Sequence, residues 1–206
     1  VGNYNSSFTI YDETDSRSLI KAIVKSLQLD ERTYKPALVH SIISKAKNNL
    51  QDPAKFLSAH SGEFDKIQGL NYESLYNIYV EYVQSCRLAN VMDFDDLLYY
   101  TYVLFANKEN GVCRHYASEF KYILVDEYQD TNRLQQKILS LLFEEMPKKR
   151  ICVVGDDAQS IYAFRGAEVN NILNFCEEFK DIKGQKAKLF KLEQNYRSTQ
   201  TIVKAA

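Results

Sequence analysis

The segment Tyr122-Ile123-Leu124-Val125-Asp126-Glu127-Tyr128-Gln129-Asp130 constrains the fold of this chain more than any other. A short apolar run bounded by polar residues is the pattern of a strand buried on both faces of a parallel sheet. In open α/β sheets, ligands bind beyond the carboxyl ends of the strands. Asp126 and Glu127 have no place in a core, so they are expected at that edge, where a metal-bound phosphate could be held.

Downstream segments repeat this arrangement. Ile151-Cys152-Val153-Val154-Gly155 and Lys188-Leu189-Phe190-Lys191-Leu192 read as a second and a third strand. Helices are predicted from about Arg133 to Glu145, from about Glu168 to Phe179, and from near Ser198. Strands alternating with helices indicate βα units and a parallel sheet.

Upstream of Lys121 the texture is helical. Asp12 to Asp15 supply an N-cap and first-turn acids for a helix through about Leu27, and Pro36 fits the first turn of another through about Lys47. Residues 48–70 are more polar, and Pro53, Gly62 and Gly69 break them into a short helix and loops. Tyr72 to Leu88 is helical by period, and its tyrosines are assigned to core packing because Arg87 is the one base among them. Asp93 is read as the cap of a helix running to about Ala106, with Asp95 and Asp96 complementing its dipole rather than forming a metal trio. Another short helix leads to Phe120. No strand–loop–helix unit is expected before residue 121, although Phe8-Thr9-Ile10 suits a strand fragment. Part of the sheet is therefore expected to lie outside the chain.

Charge and cysteine content narrow the function classes. Across 206 residues the formal net charge is -1, so nucleic-acid binding would have to rest on local patches. Cys86, Cys113, Cys152 and Cys176 are scattered, as are His40, His60 and His115, which disfavours a zinc site or a disulfide framework. Reduced thiols suit a cytoplasmic protein. No apolar run approaches the roughly 18 residues of a membrane span. The chain opens on Val1 and stops at Ala206 inside a helix-like pattern, and it is expected to be a piece of a longer protein.

Each predicted strand ends in a polar constellation, and strand ends of one polarity share one edge of a sheet. At the first, Asp126 suits Mg²⁺ held through water, and Glu127 suits orienting and deprotonating an attacking water; a solvated turn would carry the same acids. The second runs from Gly155 to Ala167. Gly155 permits a sharp exit from the strand, and Gln159 offers an uncharged donor that could sense a terminal phosphate. Tyr162, Phe164 and Arg165 combine two rings and a guanidinium, a set suited to stacking unpaired bases; core packing competes for both rings. At the third, Arg197 could stabilise charge on a transferred phosphoryl group and Tyr196 could stack on a purine, against an ordinary helix start capped by Ser198.

In this order the three constellations closely resemble three motifs of superfamily 1 DNA helicases of the UvrD/Rep/PcrA group. Phe8-Thr9-Ile10-Tyr11-Asp12 and Met92-Asp93-Phe94-Asp95-Asp96-Leu97 also look like that group, so the resemblance is thin throughout and dense from 121 to 200. It implies an ATP-driven motor that travels 3′ to 5′ on single-stranded DNA and unwinds duplex DNA, acting with repair or replication proteins. By the resemblance, Asp126 and Glu127 bind Mg²⁺ and activate water, and Gln159 contacts the γ-phosphate of ATP. Tyr162, Phe164 and Arg165 contact DNA, Tyr196 stacks on adenine, and Arg197 reaches the γ-phosphate. The implied fold is α/β: a helical 1B-like subdomain over residues 11–118, joined to part of a RecA-like parallel domain of the P-loop NTPase type. Residues 1–10 would lead from that 1A domain, 119–198 would form the rest of it, and 199–206 would start a helix toward a second RecA-like domain.

Two departures accompany the resemblance. Position 164 is Phe where many relatives carry Trp, and no Gly-rich loop with Lys-Ser or Lys-Thr occurs in the sequence. The first strands and phosphate loop are thus expected to be missing, and the chain by itself inactive. A RecB/AddA-like helicase–nuclease fits less well, because the wording Gly155-Asp156-Asp157-Ala158-Gln159 favours the simpler group. A non-catalytic DNA- or protein-binding module with an α/β scaffold is the alternative from a different class.

Overall fold

Helix boundaries fall where the capping residues place them. The computed structural model describes residues 2–59, 66–67, 69–156, 170–192, 194, 196, 198–199 and 201–202. Helix α1 (Glu13–Ser26) starts on Asp12, whose carboxylate accepts from the Asp15 N–H while Asp15 accepts in return from the Asp12 N–H. That reciprocity satisfies donors that every helix start leaves orphaned. Pro36 opens α2 (Pro36–Asn48) with its preset φ. After α3 (Pro53–Ala59), the short strands β2 (Lys66–Ile67) and β3 (Leu70–Asn71) pair antiparallel and lead into α4 (Tyr72–Ala89).

The apolar stripes of α1, α2 and α4 close one core around Ile20, Val24, Val39, Ile42, Leu75, Ile78 and Tyr82. Tyr72, Tyr79 and Tyr82 are buried in it, as the helical period of that segment predicts.

Strand β4 (Val91–Asp93) runs directly into α5 (Phe94–Ala106), which Asp93 and Asp96 cap reciprocally. The acid trio is therefore a helix start, with Asp93 and Asp96 engaged in capping. Beyond a 3₁₀ turn (Lys108–Asn110) come α6 (Val112–Glu119) and β5 (Ile123–Val125). A second 3₁₀ turn (Tyr128–Asp130) leads to α7 (Arg133–Glu145), then β6 (Ile151–Val153) and α8 (Asn170–Glu178). Strands β5 and β6 pair in parallel, Ile123 beside Ile151 and Val125 beside Val153. A second core joins their inner face to α6, α7 and α8 through Tyr128, Phe143, Met146, Phe175 and Phe179. Helix α5 packs on both α2 and α7 and so bridges the two cores.

Three elements depart from the sequence-based expectation. Strand β1 (Thr9–Tyr11) pairs in parallel with β4, Thr9 beside Val91 and Tyr11 beside Asp93, so strand-to-helix units do precede residue 121. A strand of three residues is too short to show a period, and its partner lies 82 positions away by that register. Strand β5 is buried on one face only: Ile123 and Val125 pack on the second core, while Leu124 on the other face is 78% exposed. The third predicted strand, 188–192, is not a strand: Leu189, Phe190 and Leu192 are exposed, and the nearest pairing is an isolated Lys180–Lys186 bridge. An apolar alternation becomes a strand only through a partner's hydrogen bonds.

The four cysteines are free. Among the described residues no helix is long and apolar enough to cross a membrane.

Candidate active site

The two acids after β5 are pushed out of the sheet by one residue of the neighbouring strand. Val154, just past β6, donates its N–H to the Val125 carbonyl at 2.8 Å and accepts from the Tyr128 N–H at 3.0 Å. Both bonds land on Val154, so Asp126 and Glu127 form a two-residue excursion at the carboxyl end of β5, and both are exposed. Glu127 makes the reversal at φ 48° and ψ 42°, in the left-handed region. That region costs a residue with a Cβ on the order of 1 kcal/mol, and such strain collects at functional sites.

Gln129 holds the excursion in place. Its side chain is 2% exposed; Nε2 donates to Glu127 Oε2 at 2.7 Å and Oε1 accepts from the Asp156 N–H at 3.1 Å. One buried amide thus fixes the Glu127 carboxylate to the backbone at the end of the second strand. Gly155 makes room for it: a Cβ there would lie 2.5 Å from Gln129 Oε1 and 2.9 Å from Ile172 Cδ1. Its φ is not positive, so the glycine serves close approach rather than the sharp exit its sequence position suggests.

Below the acids, Asn171 of α8 donates through Nδ2 to the Thr131 carbonyl at 3.0 Å, and the Thr131 hydroxyl donates to the Tyr128 carbonyl at 2.7 Å. Asp130 Oδ1 is buried without a hydrogen-bond partner among the described residues.

An exposed Asp at a strand end, with Oδ1 accepting the Glu127 N–H at 2.9 Å, fits Mg²⁺, which takes one or two carboxylates and keeps several waters. Glu127, with one oxygen held by an uncharged amide, fits the role of orienting and deprotonating a water.

The structure therefore brings Asp126, Glu127 and the Asp156 backbone together. Tyr196 is 87% exposed, and its hydroxyl donates to Gln194 Oε1 at 3.2 Å. Gln159, Tyr162, Phe164, Arg165 and Arg197 lie outside the described residues. Gln129, Val154 and Asn171 were not legible as site residues, because each acts through a partner distant in sequence; the signal nearest to them is the Gly155 that Gln129 requires.

The protein-family model described as UvrD/REP helicase N-terminal domain matches residues 1–180. The chain is similar over its whole length to the ATP-dependent DNA helicase UvrD1 of Mycobacterium leprae, with 40% identity over 214 residues and 26% of that protein covered. It is 42% identical over 206 residues to a probable DNA helicase II homolog of Rickettsia conorii, covering 98% of this chain and 29% of the relative. With the ATP-dependent DNA helicase PcrA of Bacillus subtilis it shares 39% identity over 202 residues, covering 98% of this chain and 25% of the relative. The chain thus spans about a quarter of the length of the curated relatives it matches.

Proposed function

The chain belongs to the UvrD/REP helicase family through its N-terminal domain, and from that premise we propose that it is part of an ATP-dependent DNA helicase. In this reading ATP hydrolysis drives 3′-to-5′ translocation on single-stranded DNA and unwinding of duplex DNA. The observation that carries it is the excursion of Asp126 and Glu127 at the carboxyl end of β5, with Glu127 locked to the next strand end by Gln129.

Asp126, assisted by Glu127, is the group to hold Mg²⁺, whose chemistry is to neutralise charge on phosphate oxygens. Glu127 takes the proton of the attacking water, and its strained backbone and buried amide clamp keep the carboxylate aimed. Gln159 and Arg197 are assigned to the γ-phosphate, Tyr196 to the adenine, and Tyr162, Phe164 and Arg165 to the DNA. Residues 11–118 correspond to the helical 1B-like subdomain and 119–198 to part of the RecA-like 1A domain. Repair or replication proteins are the expected partners of the longer protein.

The test is Glu127→Gln in the longer protein that carries this chain. ATP hydrolysis should fall by about 10²–10⁴-fold with single-strand binding retained, as loss of a general base predicts; unchanged hydrolysis would overturn the assignment. The 206 residues contain no Gly-rich loop ending in Lys-Ser or Lys-Thr, the usual cradle for nucleotide phosphates. The purified chain should accordingly show little or no ATP turnover, and DNA-stimulated turnover by it would contradict that.

A further inference from the structure

Helix α2 reaches the acid-bearing loop through a side chain that neither strand chemistry nor the helix core requires. At the C-terminal end of α2, Asn48 donates through Nδ2 to the Ser44 carbonyl at 2.9 Å and to Asp95 Oδ1 at 2.8 Å. Its Oδ1 accepts from Asn132 Nδ2 at 2.7 Å. Asn132 is the N-cap of α7, and its own capping needs are met separately. Its Oδ1 accepts the Gln135 N–H at 2.8 Å, and its N–H donates to Gln135 Oε1 at 3.0 Å. Ser or Asp would cap α7 as well. What Asn adds is a donor, and the fold directs that donor at α2.

The preceding residue, Lys47, explains why α2 is a firm anchor. Lys47 is 2% exposed, and its ammonium lies 2.6 Å from Asp93 and 2.7 Å from Asp96. Asp93 also accepts from the Tyr82 hydroxyl at 2.8 Å. The end of α2 is thereby tied to α4, β4 and the start of α5. On the other side of the Asn48–Asn132 bond the chain is short and restrained at each step. Thr131 is held by Asn171, Thr131 binds Tyr128, and Gln129 holds Glu127. Five positions separate Asn132 from Glu127.

We propose that Asn48 is a positioning residue: through Asn132 it couples the α1–α4 helical core to the Asp126–Glu127 loop, so that displacement of that core shifts Glu127. The inference rests on the hydrolytic reading of Glu127 but makes a mechanical claim of its own. A discrete two-sided hydrogen bond between packed elements is the kind of contact through which sites couple.

Two variants separate this role from simple capping. Asn132→Ser keeps an N-cap acceptor and removes the donor to Asn48. Asn48→Ala removes the bond from the other side. In the longer protein each should lower DNA-stimulated kcat about tenfold, with KM for ATP changed less than about twofold, because the loss falls on aim rather than binding. The double variant should be no worse than Asn48→Ala, since the bond between Asn48 and Asn132 can be lost only once. Amide exchange at residues 127–135 should quicken in both, while exchange in α1 and α4 stays as in the parent.

Unchanged kcat and unchanged exchange in Asn132→Ser would overturn the proposal, whatever Asn48→Ala does to folding. Additive losses in the double variant would overturn it too. If Glu127→Gln leaves hydrolysis intact, the hydrolytic reading falls, and quickened exchange at 127–135 still supports the coupling.

Discussion

At the scale of single residues, the site depends on one buried amide that is bonded at both ends. Gln129 meets Glu127 through Nε2 and the Asp156 N–H through Oε1, and neither bond survives if the amide moves. Gly155→Ala is the smallest change that moves it, since the added Cβ would sit 2.5 Å from Gln129 Oε1. Overpacking of a well-filled site costs about 1–3 kcal/mol, so the variant should melt several degrees below the parent chain. The second expectation is non-additivity: with Gln129→Ala in the same chain the contact with the amide disappears and only that with Ile172 Cδ1 and the Gln129 backbone is left, so the double variant should lose less than the two single changes together. Thermal melts of the four proteins check this. Simple additivity would mean that Gly155 is needed for some other reason.

At the scale of elements, the start of α5 concentrates the chemistry of a buried charge. Two carboxylates share the Lys47 ammonium. Burial, reinforced by the Asp93 charge and opposed by Lys47, pushes Asp96 up to about 6 from its usual 3.8. For Asp93 burial acts in the same upward direction, but Lys47 and the hydrogen bonds from Lys47, the Asp96 N–H and Tyr82 outweigh it and hold the carboxyl below its usual range. The folded chain therefore binds more protons at Asp96 than the unfolded chain between about pH 4 and pH 6. Stability from this group is fully present below about pH 4 and is lost as pH rises through about 6. Asp96→Asn removes that loss, so the variant should gain on the parent chain between pH 5 and pH 7.5. Asp93→Asn should instead destabilise the chain at both pH values, because it removes one of the two carboxylates that face the buried ammonium. Urea unfolding at the two pH values decides; a pH-independent gap between parent and Asp96→Asn would contradict the sharing. The sequence made the caps Asp12 and Asp93 readable, because capping is local and runs over four residues. It gave no sign that Lys47, 46 positions before Asp93, would be buried against them. A lysine in an amphipathic helix reads as a solvated face until its partner is placed.

At the scale of the whole molecule, what was legible and what was not divides along the same line. The acids at 126 and 127 were readable as strand-end groups, since an apolar run and its polar end are adjacent in sequence. The features that hold them depend on contacts between distant segments, as with Val154, Gln129 and the β1–β4 pair. The same dependence leaves one face of the β5–β6 pair open. Leu124 and Cys152 are register partners on that face, and Tyr122 and Val154 continue it. Leu124 is 78% exposed, Tyr122 61% and Val154 51%, while Ile123, Val125, Ile151 and Val153 pack inward on the second core. Parallel strands are ordinarily covered on both faces, and an apolar patch left in water drives association. The purified chain should therefore self-associate, its weight-average mass in sedimentation rising above 23.9 kDa with concentration. Leu124→Lys should suppress that rise without lowering the melting temperature, because the residue buries little in the monomer. Val125→Lys, one position along and facing the core, should instead abolish the cooperative melt, since an unpaired charge would enter apolar packing. A parent chain that stays monomeric and binds no hydrophobic dye would show that the open face is covered within the chain itself. Association that survives Leu124→Lys would place the contact elsewhere, with the exposed Leu189, Phe190 and Leu192 the next segment to change.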